Sequence, residues 1–235
     1  MSLLLGGFFL LFAIAIGLIV YDSVRRNDDV ASFHRYFRGN RRVITRGTRS
    51  EIDLLESLVS MGFNRGAIFH DLYLQNAGGT FTQIDLVLAT KVGIIVFEVK
   101  DYRGWIFGNA YQEYWTQILA YGKDRYQFYN PILQNQTHVE NLKKRLFLQN
   151  KVPFYSVIVF YGDCEIKTDL SLSEKTFLIY EYEIEETIDN IMQSGTEAQY
   201  PNKREIIGIL NDAVKNGENP SVVSQHINNI KTFIS

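Results

Sequence analysis

Two carboxylates and one ammonium group lie in apolar surroundings near the middle of the chain. Asp85 and Glu98 are each flanked by Val, Ile, Leu or Phe, and Lys100 follows Glu98 by two residues. A carboxylate in such a setting destabilises the fold unless something pairs with it. Carboxylate oxygens favour hard cations such as Mg²⁺ or Mn²⁺. The residues therefore predict a metal site with an ammonium beside it, the arrangement of a metal-dependent phosphodiesterase.

The spacing predicts that these side chains converge on one point. Glu98 and Lys100 are two residues apart, so a strand directs both to the same face. A turn at residues 90–93 would fold a hairpin that brings Asp85 roughly opposite Glu98. Two carboxylates this close repel each other unless a cation is present, and Lys100 would orient water or offset charge developing on a phosphate. The alternative is a structural ion-pair network at a sheet edge.

Further segments extend this into a longer pattern. In chain order they are Gly47-Thr48-Arg49-Ser50-Glu51, Gln83-Ile84-Asp85, Glu98-Val99-Lys100-Asp101-Tyr102-Arg103-Gly104, Trp115, Asn130-Pro131-Ile132-Leu133-Gln134-Asn135 and His138. Together, from about residue 46 to about residue 148, they resemble the NERD family, the nuclease-related domain. That family is similar to the PD-(D/E)xK superfamily, which includes many restriction endonucleases.

The resemblance implies a fold, a cofactor and a set of site residues. The fold is a restriction-endonuclease-like αβα sandwich with a mixed sheet, and the cofactor is Mg²⁺ or Mn²⁺. Carried over position by position, the metal ligands are Asp85 and Glu98, and the catalytic residues are Lys100, Glu51 and Gln134. The chain departs from the pattern at Asp101, where the family often has Asn, and this leaves the core of the motif untouched.

Two of the helical positions have a second interpretation. Ser50 is a plausible N-cap, so Glu51 either points toward the metal or complements the helix dipole. Gln134 and His138 are four apart and share one helical face, where they could hydrogen-bond a metal-bound water or a phosphate. A lone His on a helix is also commonly structural. His70 has no partner that the sequence identifies.

The elements that must position these residues follow from hydrophobic periodicity. It predicts a helix from Ser50 to about residue 61 and a helix from Pro131 to about residue 148. Strands are expected at 67–74, 80–90, 92–100, 155–161 and 176–180, and terminal helices at 181–193, 202–215 and 220–234. Residues 102–106 are expected to continue as extended chain or to bend at Gly104. This order suits an α/β sandwich with a mixed sheet.

Composition bears on the partner, the redox compartment and the location of the aromatic residues. The formal net charge is −2, which does not indicate a polyanion partner. A single cysteine, Cys164, excludes an internal disulfide framework and fits a reducing compartment. Trp105 and Trp115 could stack on bases, but in a chain with 14% aromatic residues they are expected in the core.

The N-terminus predicts a retained membrane anchor. Residues 3–20 carry no charge, and their length nearly matches a hydrocarbon core. A cleaved signal peptide is the alternative, but Met1-Ser2 supplies no side-chain cation. Eight arginines follow between residues 25 and 49, so the positive-inside rule puts the rest of the chain in the cytoplasm. Those arginines could contact anionic lipid or a nucleic-acid backbone, or could serve topology alone.

These expectations combine into one domain scheme and one function. The scheme is a transmembrane anchor (1–21), a basic juxtamembrane segment (22–45), a NERD-like nuclease domain (46–195) and a C-terminal helical extension (196–235). The expected function is that of a single-pass, membrane-anchored, cytoplasm-facing nuclease that hydrolyses phosphodiester bonds of DNA or, second, RNA. Its partners are then nucleic acid and the membrane, and the oligomeric state is open. The alternative is a non-catalytic nucleic-acid-binding or membrane scaffold module on the same fold.

Overall fold

The computed structural model describes residues 46–76, 78–119, 122–148, 152–167 and 172–234. The predicted anchor (1–21) and the basic segment (22–45) lie outside these residues. Within the described part of the chain, no helix is long and apolar enough to cross a membrane.

Five α-helices and nine strands follow one another in the described residues. In chain order they are α1 (Arg49–Ser60), a 3₁₀ turn (Arg65–Ala67), β1 (Ile68–Gln75), β2 (Phe81–Thr90), β3 (Gly93–Asp101), β4 (Gly104–Phe107), β5 (Tyr114–Leu119), β6 (Asp124–Tyr129), α2 (Pro131–Arg145), β7 (Phe154–Tyr161), β8 (Cys164–Ile166), β9 (Thr176–Tyr180), a second 3₁₀ turn (Glu181–Glu183), α3 (Ile184–Ser194), α4 (Lys203–Asn216) and α5 (Pro220–Ile234).

The main sheet has the strand order β1-β2-β3-β7-β9 and is mixed, as predicted. Strands β1, β2 and β3 form an antiparallel meander, whereas β7 runs parallel to β3 and to β9. Strand β3 is buried from Gly93 to Glu98. Burial on both faces explains why this strand reads as a nearly continuous apolar run rather than an alternating one.

Helices cover both faces of this sheet and make an αβα sandwich. On one face, Leu54 and Leu58 of α1 and Ile188 of α3 pack on Phe97 and Val157. On the other face, helices α2 and α4 pack on the sheet through a second apolar cluster: Val139, Leu142, Ile206, Leu210, Phe69, Leu72 and Val96. Helix α4 therefore belongs to the core of the sandwich, although it lies in the segment 196–235 that was expected to be an extension.

A second sheet, with the strand order β6-β5-β4-β8, was not predicted from the sequence. Its inner side joins Ile106 and Trp115 to Ile158 and Phe160 of β7 in a third apolar cluster. Trp115 is fully buried, as expected, and a Cβ at Gly108 would overlap its ring. The core prediction for Trp105 is wrong, because that side chain is 41% exposed. It lies on β4 opposite Ile118, on the side that faces away from the cluster.

Candidate active site

The β2–β3 hairpin brings Asp85 and Glu98 to the same end of the main sheet. The ladder pairs Leu86 with Phe97, so Asp85 and Glu98 each lie one residue beyond that pair on their strands. The Val99 amide donates a 2.8 Å hydrogen bond to Asp85 Oδ2. The Asp85 carboxylate therefore sits against the backbone between Glu98 and Lys100.

An irregularity between β1 and β2 sets the orientation of Asp85. The ladder pairs His70 with Leu86 and Leu72 with Ile84, but Asp71 and Asp85 are not paired. Asp71 has φ 52°, a left-handed conformation that is uncommon in a strand. The two strands change faces here: Leu86 packs on the α1 side, whereas Ile84 packs on the α2 side. Such strain clusters at functional sites, where the surrounding structure holds it.

Arg46 and Gln83 hold the strained Asp71 in place. Arg46 donates from Nε to Asp71 Oδ2 at 2.8 Å and from an Nη to the Asp71 carbonyl at 2.7 Å. Gln83 Nε2 donates to the other carboxylate oxygen at 2.9 Å. Arg46 and Gln83 thus fix the irregular part of β1 that lies beside Asp85.

Helix α2 supplies the second wall of the site, and three of its residues fix its position. Asn130 caps its N-terminus by accepting from the Ile132 amide at 2.9 Å, and Pro131 occupies the first turn. Asn135 Nδ2 donates to the Val96 carbonyl and to Ser156 Oγ, each at 2.9 Å. These bonds dock the helix over β3 and β7, with Gln134 and His138 facing the end of β3.

Glu98 is the central group of the site and is 1% exposed. Lys100 Nζ donates to Glu98 Oε1 at 2.6 Å and to Gln134 Oε1 at 3.2 Å. His138 Nε2 lies 3.3 Å from Glu98 Oε2, and Nδ1 of the same ring lies 3.4 Å from Thr82 Oγ1. The contact between His138 Nε2 and Glu98 Oε2 lacks hydrogen-bond geometry. Both atoms are buried, and neither has a hydrogen-bond partner among the described residues.

Glu51 approaches the site from the start of α1 and is 5% exposed. The predicted cap at Ser50 is wrong, because the helix begins at Arg49 and Thr48 caps it. The Thr48 Oγ1 accepts from the Glu51 amide at 3.3 Å and donates to Glu51 Oε1 at 3.0 Å. His70 Nε2 lies 3.2 Å from Glu51 Oε2. Gly47 has φ 87°, and a Cβ there would lie 2.6 Å from Glu51 Oε2. The Gly47-Thr48 pair therefore makes room for the carboxylate and holds it.

The pKa values of the two strand carboxyls are shifted in opposite directions. Burial, with the charges of Glu98 and Glu51 added, holds the pKa of Asp85 well above its usual range. Burial also opposes ionisation of Glu98, but the Lys100 ammonium and the His138 ring outweigh it and lower the Glu98 pKa. The Lys100 pKa is raised, since Glu98 and Asp85 outweigh the effect of burial. Glu98 and Lys100 thus form an ion pair, next to an Asp85 that retains its proton more readily than an ordinary carboxyl.

The donor set fits a cation that needs few protein ligands. No group of three or more His, Cys, Asp or Glu side chains suited to a metal ion occurs in the described part of the chain. Mg²⁺ is bound by one or two carboxylates, with water and substrate phosphate completing its shell. Asp85 and Glu98 supply two carboxylates, and the buried Glu98 Oε2 lacks a hydrogen-bond partner within the described residues. A bound cation would satisfy that oxygen.

All five predicted site residues lie at or beside this end of the sheet. Glu98, Lys100 and Gln134 are in direct contact, and Asp85 is held next to them. Glu51 contacts His70 rather than Glu98, and its negative charge contributes to the raised pKa of Asp85. The roles of His70 in holding Glu51 and of Asp71 in shaping β1 were missed. Neither carried a local signal, because their partners are 19 and 25 residues away in the chain.

Comparison with known proteins finds a family match and a bacterial relative. The nuclease-related domain family (NERD) matches residues 46–161, a range that includes every residue of the site. The chain is also 27% identical over 135 residues to an uncharacterized protein of Bacillus anthracis. That similarity covers 57% of this chain and 60% of the relative, so the chain matches less than two thirds of the relative's length. No solved structure matches the chain.

Proposed function

Because residues 46–161 belong to the nuclease-related domain family, we propose that this protein is a metal-dependent nuclease. Its reaction is the hydrolysis of phosphodiester bonds, with DNA favoured over RNA as the substrate. The observation that carries the proposal is the Glu98–Lys100 ion pair beside Asp85, with Lys100 Nζ 2.6 Å from Glu98 Oε1. A structural ion pair requires no further carboxyl group, whereas here the buried Asp85 carboxyl, with its raised pKa, is held beside the pair.

Asp85 and Glu98 would hold Mg²⁺ or Mn²⁺. When bound, such an ion polarises a phosphoryl oxygen and lowers the pKa of a coordinated water. The Asp85 carboxyl must give up its proton to serve as a ligand, and its raised pKa makes this step dependent on pH. Glu98, whose pKa is lowered, is already ionised.

Lys100 would bind the scissile phosphate. Its ammonium has three protons, of which one is donated to Glu98 and one to Gln134. The third is available to a phosphate oxygen, and a fixed donor aimed at developing negative charge is among the largest single contributions to catalysis. Gln134 would act by holding this ammonium in place.

Glu51 would orient the attacking water from the α1 side. Thr48 and His70 each hold one of its two carboxylate oxygens, so its side chain has one fixed orientation. A carboxylate fixed in this way can accept a hydrogen bond from water at a constant position, which favours a near-attack geometry.

We further propose that this nuclease is membrane-anchored. Residues 1–21 would form a single transmembrane helix, and the arginines of residues 22–45 would keep the nuclease domain in the cytoplasm. The support is the charge-free run at residues 3–20 followed by that excess of cations.

The test is cleavage by the full-length chain purified in detergent. Labelled single- and double-stranded DNA and RNA are incubated with Mg²⁺, with Mn²⁺ or with EDTA, and the products are resolved by size. The proposal predicts cleavage that requires the divalent ion and leaves smaller labelled fragments. Tight nucleic-acid binding with no cleavage under any of these conditions would instead support the scaffold module.

A further inference from the structure

The second sheet exposes aromatic side chains. Ten large apolar side chains are exposed in the described part of the chain, and six of them lie on this sheet or in its β4–β5 loop: Trp105, Phe107, Tyr111, Tyr114, Tyr126 and Tyr129. Exposed apolar groups gathered in one place indicate a binding surface rather than chance exposure.

Strand register shows that four of these rings share one face. Trp105 and Phe107 are two residues apart on β4, so both rings point to the same side of the sheet. Their partners on β5, Ile118 and Thr116, point to that side as well. Tyr114 lies two residues before Thr116 on β5 and therefore points the same way. Tyr129 is paired with Tyr114, and their ring centroids are 6.0 Å apart. We call this the outer face and define it by Trp105, Phe107, Tyr114 and Tyr129.

Cations lie among these rings. Arg125 is paired with Ile118 across β5 and β6, which puts it on the outer face. Lys167 Nζ lies 5.8 Å from the centre of the Trp105 ring. The acid beside Trp105 is Glu165, and Lys167 forms an ion pair with it. The outer face thus combines flat aromatic rings with a net positive charge, the two features that unpaired nucleotides require.

A half-open groove of about 390 Å³ continues the outer face at one end. Arg103, Gly104, Trp105, Ile118 and the two acids Asp163 and Glu165 are among its lining residues. A Cβ at Gly104, which has φ 76°, would overlap the Ile118 carbonyl, so the backbone approach beneath the groove depends on glycine. Arg103 and Trp105 both line this groove, so it holds a cation as well as a ring.

We propose that the outer face binds the unpaired bases of single-stranded nucleic acid by stacking, with Arg103, Arg125 and Lys167 meeting its phosphates. This assigns a substrate class to the proposed nuclease and rests on that function. Duplex nucleic acid hides its base faces within the stack, so it could contact the cations but not the rings. Protein interfaces are also rich in Trp, Tyr and Arg, so a second copy of the chain on this face is an outcome that the test below would detect.

The outer face and the candidate active site are close enough to act on one strand. Trp105 follows Lys100 by five residues, which spans at most about 17 Å of extended chain. Tyr102 lies between them and packs on Phe128 of β6, with centroids 4.6 Å apart. The end of β3 is thereby tied to the second sheet.

The proposal is tested by binding in EDTA, which separates binding from cleavage. Fluorescence anisotropy measures the affinity of the full-length chain in detergent for a labelled oligothymidine and for a duplex of equal length. Loss of a base–aromatic stack weakens binding on the order of five- to 150-fold. The double variant Tyr114→Ser with Tyr129→Ser should therefore bind the oligothymidine at least about tenfold more weakly, with little change for the duplex.

Two further variants and one control make the result specific. Tyr114→Phe with Tyr129→Phe retains both rings and should bind like wild type. Thr116→Glu places a negative charge among the rings without removing one, and should also weaken oligothymidine binding. Tyr182→Ser removes a tyrosine that is 78% exposed but lies outside the second sheet, and should change nothing.

The outcomes distinguish this proposal from the nuclease proposal. Unchanged oligothymidine affinity in both the double serine variant and Thr116→Glu would overturn the outer-face assignment, even if the wild type cleaves nucleic acid. Absence of oligothymidine binding by wild type, or a dimer that the serine variant dissociates, would also overturn it. Tyrosine-dependent binding in a protein that cleaves nothing would support the outer face and refute the nuclease.

Discussion

The Val99 amide donates a 2.8 Å hydrogen bond to Asp85 Oδ2, and this bond fixes a carboxyl of β2 on the backbone of β3. Glu98 and Lys100, on either side of Val99, form an ion pair that faces α2. Burial, with the charge of Glu98 added, raises the pKa of Asp85, whereas Lys100 and His138 outweigh burial and lower the pKa of Glu98. Neighbouring carboxyls with opposed pKa shifts are typical of sites that use acid–base or metal chemistry.

Divalent cations should stabilise the folded chain. A ligand that binds only the folded state at a hundredfold excess over its Kd adds about 2.7 kcal/mol to the free energy of unfolding. Asp85→Asn combined with Glu98→Gln should abolish the rise in melting temperature caused by Mg²⁺ or Mn²⁺. Thermal melts of the full-length chain with the ion and with EDTA measure this. Glu56→Gln, at an exposed position of α1, is the matched control and should keep the shift. A shift that persists in the double variant would refute the ligand assignment.

The stability of the metal-free protein should depend on pH through Asp85. Its folded-state pKa is raised, so the folded protein binds more protons than the unfolded chain above about pH 4. The contribution of this carboxyl to stability is complete below that pH and is lost as the pH rises through the folded-state pKa.

Asp85→Asn stays neutral at every pH and should therefore be more stable than wild type at pH 7 in EDTA. The difference should shrink as the pH falls toward about 4. Urea unfolding of the variant and the wild type across this pH range measures the stability difference and its dependence on pH. A variant that is less stable than wild type at pH 7 would contradict the raised pKa.

Gly47 should be required for both stability and cleavage. Gly47→Ala combines a left-handed backbone with a Cβ 2.5 Å from His70 Nε2 and 2.6 Å from Glu51 Oε2, so the contacting pair of side chains must shift. Gly62→Ala is the matched control, because Gly62 has φ 91° and nothing within 4 Å of its Cβ position. Backbone strain alone is worth about 1–2 kcal/mol. Gly47→Ala should lower stability by more than this and reduce cleavage, whereas Gly62→Ala should cleave normally. Equal effects of the two substitutions on stability and cleavage would refute a role of Gly47 at the active site.

The sequence predicted the elements that have strong periodicity. The α1 helix apart from its cap, the β2–β3 hairpin and the start of α2 at Pro131 appear as predicted, because apolar spacing, a turn and a proline in the first helical turn each act locally. The predicted positions of Asp85 and Glu98 near each other depended on that hairpin alone.

The second sheet and the bend at Asp71 could not be predicted in the same way. Strands β4 and β8 have four and three residues, too few to show a period, and β6 is largely exposed and carries no apolar pattern. Asp71 adopts φ 52° within a strand because Arg46 and Gln83 bind its carboxylate. These are contacts between distant parts of the chain, which no local pattern reveals.

The proposed topology predicts where the C-terminus lies. A reporter fused after Ser235 should give a cytoplasmic signal, because the arginines after residue 24 should stay on the cytoplasmic side. Alkaline carbonate should leave the protein in the membrane fraction. Replacing the arginines at 25, 26, 35 and 38 with glutamine should weaken this bias. Full release by carbonate or an extracytoplasmic signal would refute the anchor or its direction.

Cleavage by Lys100→Met tests the central claim most directly. The substitution keeps the aliphatic stem and removes only the ammonium that contacts Glu98 and Gln134. Removing a fixed donor of this kind costs about 3–4 kcal/mol, or on the order of a hundred- to a thousandfold in rate. Lys144→Met, on the exposed side of α2, controls for the loss of a charge. We predict that Lys100→Met loses most divalent-ion-dependent cleavage while it still binds nucleic acid, whereas cleavage at the wild-type rate would contradict the assignment of this site.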